Sequence, residues 1–280
     1  MMAWGAPTGG YYSDRSTPEF DDPVQGTACQ NCSMIAGLSA IAWVNPGYLK
    51  SNILNSVNQV RFYNWAGRAQ PWAFSATTWA PAAELCHSAE LNELWPAYYE
   101  KAYASCVLNT HGDPDKTAYI SATEPGASIT ALNRITGPLW SAFANWGGDF
   151  YTFLSNNGLL SAASNYPAAV TAPLTGSSRQ VKFPILAAAA NHTYSVLGTY
   201  AAPSNGPVYI ILRNPKGNSV GAAPGGTLMA DPWWVNYSTY ASGAAQTAPV
   251  WTKINLTNGV FGIKKEDFGT YFATYTRVNV

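Results

Sequence analysis

The chain has 280 residues, enough to bury a substantial core and close to the size at which one core divides into two. Charged residues make up only 11% and the formal net charge is zero, so no electrostatic footprint for nucleic acid or an anionic membrane surface is present. No run of about 18 apolar residues occurs, which excludes a spanning helix on length, and a soluble protein is expected.

Residues 1–24 are rich in Gly, Pro, Ser and Asp without periodicity and read as an arm lying over the surface. The opening MMAWGAPTGGYYSDRS has neither the basic segment nor the apolar run of a secretory signal, so the protein is expected either to stay inside or to lose a leader. Ser33 to Val44 places Ile35, Leu38, Ala42 and Trp43 at helical spacing, and Asn45-Pro46-Gly47 is expected to end the run. Cys32 therefore stands at a helix N-terminus. A second helix is expected over Leu91 to Val107, with Leu94, Tyr98, Ala102 and Cys106 on one face and Pro96 in the first turn. After Gly137-Pro138 the texture changes. Val181 to Leu186, His192 to Tyr200, Val208 to Arg213 and Phe272 to Val280 carry alternating apolar, β-branched and aromatic residues between Gly, Pro and Asn turns, and read as strands. The expected organisation is a helical part over residues 1–138 and a sheet-rich part over 139–280, without internal repeats.

Three separated residue types define candidate chemistry. Cys32, His192 and Asn214 supply a thiol, an imidazole and an amide in that order, the parts of a nucleophilic cysteine hydrolase. A helix N-terminus and a neighbouring imidazolium favour the thiolate, so Cys32 would attack a carbonyl carbon. His192 would hold the proton and pass it to the leaving amine, and Asn214 would orient the ring. Gln25, with the Cys32 backbone N–H, would donate to the oxyanion.

Other readings compete. Of the four cysteines, Cys29, Cys86 and Cys106 remain beside the nucleophile and allow one bridge and one spare thiol. Cys29 and Cys32 have the spacing of a redox pair but lack a preceding βαβ pattern. Cys86, His87, Cys106 and His111 match no compact zinc spacing. Sequons at Asn31 and Asn191 adjoin the candidate residues, where a glycan would block the site; those at Asn236 and Asn255 do not. Eleven Trp residues mostly suit core packing, although Trp233, Trp234 and Trp251 would also make an aromatic platform in a catalytically weak or inactive peptide- or glycan-binding module.

From about Asp22 to the C-terminus the chain resembles the catalytic core of the calpain family of papain-like cysteine peptidases. DPVQG ahead of Cys32 is similar to the family's QG-to-Cys segment, and HSAELNELWPAYYEKAYA at 87–104 is the most specific match. SITALNRITG, NHTYSVLG, LRNPKG and GVFGIKKEDFGTYFATYTRV follow in family order. The resemblance implies an α+β, two-lobed papain-like fold with a helical N-terminal lobe and an antiparallel-sheet C-terminal lobe. It implies peptide-bond hydrolysis by Cys32, His192 and Asn214 with Gln25 as oxyanion donor, a protein or peptide substrate, and Gly137 and Gly198 lining the substrate cleft.

The chain departs from the family pattern in four places. Gln25 and Cys32 are seven positions apart where six is usual, so that an extra residue bulges between them or Gln30 takes the oxyanion role. Ser33 follows the nucleophile where an aromatic is usual, and Lys216 replaces the Trp of LRNPWG that would shield the His–Asn bond. The family holds calcium through carboxylates of both lobes. Asp22 matches one such position, but Ile120 occupies another, and between Asn214 and Glu266 the sole carboxylate is Asp231. No metal ligands or cofactor are therefore expected, and the lobes are expected to align without calcium.

Overall fold

The computed structural model describes residues 9–12, 18–54, 58–63, 69–73, 84–90, 92–109, 135–136, 140–143, 149–160, 164–165, 177–189, 192–218, 233–236, 250–253 and 258–278. The architecture is mixed helix and sheet, as expected. After the short strand β1 (Pro23–Val24), helix α1 runs over Cys32–Val44 and α2 over Pro46–Asn52. Asn45-Pro46-Gly47 does end α1, but it also starts α2. Pro46 has no N–H to lose in the first turn, and the Asn45 side chain accepts from the Tyr48 N–H at 3.2 Å.

Strands β2 (Ile53–Leu54), β3 (Gln59–Tyr63) and β4 (Ala69–Ala73) form one small antiparallel sheet, and β5 (His87–Ser88) pairs with β1. Helix α3 spans Trp95–Leu108 with Pro96 in its first turn, four residues later than the expected start. Its free N-terminal N–H groups explain part of the arm's placement: Leu94 donates to the Gly10 carbonyl at 3.0 Å and Trp95 to that of Tyr11 at 3.2 Å. Both α1 and α3 are buried on all sides from their first residue to their twelfth, so neither has a polar face to solvent.

The remaining elements are β6 (Trp140–Phe143), α4 (Phe150–Asn156), β7 (Ser164–Asn165), β8 (Ser177–Ala189), β9 (His192–Ala201), β10 (Val208–Arg213), β11 (Trp233–Asn236), β12 (Val250–Lys253), β13 (Val260–Lys264), α5 (Lys265–Tyr271) and β14 (Thr274–Val278). Among the described residues, seven of these strands make one antiparallel sheet in the order β13-β10-β9-β8-β14-β6, with β7 on β8. The strand expected over Phe272 to Val280 is β14, and the residues before it, Lys265–Tyr271, turn out of the sheet as α5 and pack Phe268 against Phe150 with ring centroids 4.4 Å apart. The expected division near residue 138 falls outside the described residues, as does Gly137. Trp233, Trp234 and Trp251 lie on the β11–β12 ladder, outside the seven-stranded sheet.

One continuous apolar core includes Ile35, Leu38 and Ile41 of α1 with Ile185, Val196, Leu197, Ile210 and Leu212 of the sheet. Alternate residues of β9 face α1 and bond to it. Ser33 and Thr193 hydroxyls meet at 2.9 Å, Ser195 Oγ donates to the Ala36 carbonyl at 2.7 Å, and Trp43 Nε1 donates to the Leu197 carbonyl at 2.8 Å. These three links set the height of the helix along the strand, which decides what Cys32 faces. No helix among the described residues is long and apolar enough to cross a membrane.

Candidate active site

Cys32 is the first residue of α1 and is 7% exposed. The residue before it, Asn31, is of a type that usually caps a helix. Here its side chain is diverted to the carboxylate of fully buried Glu100 at 2.5 Å, and no side chain caps α1. The first backbone N–H groups and the positive end of the helix dipole are thus left for a negative charge at Cys32. Glu100 also accepts from the Cys86 N–H at 3.0 Å, so this carboxylate pins the loop carrying Gln25 to Asn31 against the segment before α3. Gly26 sits so close to that segment that a Cβ would lie 2.3 Å from the Glu84 carbonyl oxygen.

His192 opens β9. Its Nε2 lies 2.8 Å from Asn214 Oδ1, and the Asn214 amide nitrogen donates to the Asn218 carbonyl at 2.5 Å. A carbonyl can only accept, so the second bond fixes which way the Asn214 amide points. Oδ1 therefore faces the ring, Nε2 carries a proton, and Nδ1 is left as the base. Asn214 is itself placed by a tight turn after β10. Its N–H donates to the Gly259 carbonyl at 2.9 Å, and Gly217, with φ of 68°, accepts a conformation that a side chain resists. Tyr194 packs edge-on against the imidazole with centroids 4.8 Å apart, an aromatic cover on the ring where the sequence offers Lys216 in place of a Trp.

The thiol of Cys32 is hydrogen-bonded to the His192 side chain and to Thr193. Burial pushes its pKa up, but the hydrogen bond and charge of His192, followed by the Thr193 hydrogen bonds, outweigh it and hold the thiol below its ordinary value. Cys86 goes the other way: complete burial and then the Glu100 charge push it well above the free-thiol range. All four cysteines are free, so neither a bridge nor a redox disulfide is formed.

The structure brings Gln25, Cys32 and His192 to one cavity, with Asn214 bonded to the His192 ring. Gln25 Nε2 donates to the Cys29 carbonyl at 2.7 Å, which commits one of its two N–H groups and leaves the other for an incoming oxygen. The seven-residue spacing is absorbed in the loop, whose Gln25 N–H is anchored on the Pro215 carbonyl at 2.8 Å. A cavity of about 510 Å³ lies over these groups, lined by Gln25, Gly26, Thr27, Cys29, Gln30, Cys32, His192, Lys216 and Asn218. Gln30 is at its wall as well. Gly198 is elsewhere: it lies within β9, paired with Gln180 and Ile211, and does not line this cavity.

Arg213, one residue before Asn214, is fully buried and was not singled out from the sequence. Its guanidinium donates to the carbonyls of Asp21 (2.6 Å), Pro23 (2.8 Å) and Asn258 (3.1 Å) and to Ser39 Oγ (2.7 Å). Burial lowers its pKa to about 10, so it stays charged at neutral pH. It ties β10 at once to α1, to the start of β13 and to the residues leading into β1.

Beside that segment, among the described residues, the carboxylates of Glu19, Asp22 and Glu90 offer oxygens within 4.8 Å of one another. Asp22 accepts from the Glu19 N–H at 2.7 Å and from Trp95 Nε1 at 2.8 Å. Burial, then the Glu93 charge, raises its pKa to about 10, so it holds a proton at neutral pH. These residues could hold a cation on this side; between Asn214 and Glu266 the sole carboxylate of the sequence is Asp231, which lies outside the described residues. The buried proton has a consequence for stability. Unfolded, Asp22 releases it near about pH 4, so above that pH, up to its raised folded value, the folded chain binds more protons and stability falls as pH rises. Asp22→Asn keeps an oxygen for both donors and cannot ionise. Its advantage in urea denaturation with a chelator present should be small near pH 4 and grow towards pH 9; an advantage that does not vary with pH would rule this origin out.

No family model matches the chain. It is similar to a thiol protease of Porphyromonas gingivalis (strain ATCC BAA-308 / W83), with 26% identity over 282 residues covering 91% of this chain and 54% of that protein. The chain thus spans about half the length of that relative. The likeness supports a cysteine peptidase at that level of description, and an α+β fold agrees with it.

Proposed function

We propose that this chain is a calpain-like cysteine endopeptidase of papain-like, two-lobed architecture, with a helical lobe over residues 1–138 and a β-rich lobe over 139–280. The observation that carries this reading is the fixed amide of Asn214, which leaves His192 Nδ1 as the base for a thiol already held below its ordinary pKa. In the reaction, the Cys32 proton passes to Nδ1 and the sulfur attacks the peptide carbonyl carbon. The resulting oxyanion is met by the free Gln25 N–H and the uncapped N-terminus of α1. His192 returns the proton to the amide nitrogen as the C–N bond breaks, leaving a thioester. Water then adds with His192 taking its proton, the C–S bond breaks, and the acid and the thiol are released. The aligned lobes do not depend on calcium in this reading; Arg213 supports that, since its guanidinium fastens β10 to α1 and the β1 segment.

Incubation with a peptidyl epoxide at pH 6, followed by mass spectrometry, tests the proposal. The lowered pKa gives Cys32 more thiolate there than an ordinary thiol has, so the adduct should form on Cys32 ahead of Cys29, Cys86 and Cys106, with a chelator present as without it. Labelling that prefers another cysteine overturns the assignment, and labelling that appears only on adding calcium overturns the calcium independence.

A further inference from the structure

Among the described residues that line the cavity, Lys216 carries the sole fixed charge; the others are Gly, Thr, Gln, Asn and Cys, with His192 of the reacting pair. Lys216 is exposed, and its backbone N–H donates to Asn214 Oδ1 at 3.1 Å, the same oxygen that accepts from the His192 ring. The backbone of Lys216 therefore stands on the His192 side of the cleft, and its ammonium is carried from there. That side has a defined chemical meaning. The group that His192 protonates is the departing amine, so the part of a substrate lying beyond the scissile bond leaves past this ring. Attack by sulfur comes from the α1 side, where the acyl part stays. An aromatic in place of Lys216 would offer a neutral wall to any leaving segment; an ammonium attracts an anion and repels a cation.

We propose that Lys216 selects substrates with a carboxylate just beyond the scissile bond, either an Asp or Glu side chain in the leaving segment or that segment's own C-terminal carboxylate. This rests on the hydrolase reading but concerns a different property of the same site, the charge of what leaves. A long flexible lysine at a solvent-facing rim makes a selective contribution rather than a decisive one. It acts by attraction at the mouth of the cleft, so it weakens with salt.

The test has one arm that does not need turnover. Iodoacetate and iodoacetamide alkylate the same sulfur and differ in charge, so the ratio of their rates at Cys32 reads the local field. Lys216→Gln should lower that ratio about threefold, as expected for one unit charge several ångströms away near solvent, Lys216→Glu should lower it further, and Lys216→Arg should restore it. The second arm compares three quenched peptides: one with Asp after the scissile bond and an amidated end, one neutral with a free C-terminal carboxylate two residues beyond the bond, and one neutral and amidated. Faster cleavage of the first identifies a side-chain carboxylate, faster cleavage of the second a terminal one, and either preference should disappear in Lys216→Gln. A rate ratio unmoved by all three substitutions, or equal cleavage of the three peptides, overturns the proposal. Failure of Cys32 to react with the peptidyl epoxide, while iodoacetate and iodoacetamide still alkylate it with a ratio that Lys216→Gln lowers, would instead overturn the hydrolase reading and leave only the field of Lys216 at the sulfur.

Discussion

Replacing Cys32 with alanine should abolish peptide hydrolysis, with a loss on the order of 10⁴-fold or more, because removing the nucleophile leaves only binding and the oxyanion donors. The fold should be retained. The lost sulfur sits at the first turn of α1, whose hold on β9 still runs through Ser33, Ala36 and Trp43 once the thiol's own bonds to His192 and Thr193 are gone. His192→Ala should be nearly as damaging, since the same proton is carried by that ring in both halves of the reaction. Asn214→Ala should leave more residual activity, since Tyr194 still packs against the imidazole while the tautomer is no longer enforced. The check is turnover of a fluorogenic peptide alongside urea denaturation of each variant. An Asn214→Ala variant as active as the parent would remove that residue from the site.

The second large effect is on stability. Arg213→Met should cost about 3 to 5 kcal/mol, because it leaves the carbonyls of Asp21 and Pro23 and the hydroxyl of Ser39 without their charged donor in a closed interior. Arg213→Lys should fall between, as an ammonium keeps the charge but cannot reach four acceptors in the geometry of a planar fork. The Lys variant should also label more slowly at Cys32, since Asn214 is the next residue and the Gln25 loop follows directly on Pro23–Val24. Midpoints from urea denaturation and epoxide labelling rates measure both. A cost under about 1 kcal/mol for Arg213→Met would mean that packing, and not the guanidinium, holds this junction.

The two long helices were legible because each joins an apolar run to a clear boundary signal, Asn45-Pro46 for α1 and Pro96 for α3. Strand β10 was legible to the residue, between the turn ending in Pro207 and Asn214-Pro215. What escaped was structure whose cause lies far along the chain. Helix α5 has a sequence, KEDFGTY, that local preference leaves undecided; it becomes helical where Phe268 finds Phe150 and Phe272. The candidate residues Cys32, His192 and Asn214 were picked out by their types and order. Their supports were not, because Asn31 and Glu100 are separated by 69 positions, Ser33 and Thr193 by 160, and Arg213 and Pro23 by 190. Glu100 was read only as part of a helix, and nothing about a buried glutamate in isolation says which loop it holds. Ser33 stood out as a departure and proves to be half of the link to β9. The carboxylates Glu19 and Glu90 went unnoticed beside Asp22 for the same reason: three positions in a chain become neighbours only after the fold is made.

The hydrogen bonds that zip α1 to β9 also govern when reactivity can arise. A chain emerging from the ribosome exposes Cys32 long before residues 192–201 exist to pair with, and a thiol without an imidazole keeps its ordinary acidity. Only when the strand has been made, joined its hairpin with β8 and docked on the helix does the sulfur acquire its base. Closing a contact across 160 positions is a late event in a sheet of this topology. The lowered thiol pKa is thus a signature of completed assembly, since a half-made or misregistered molecule lacks the His192 and Thr193 partners that cause it.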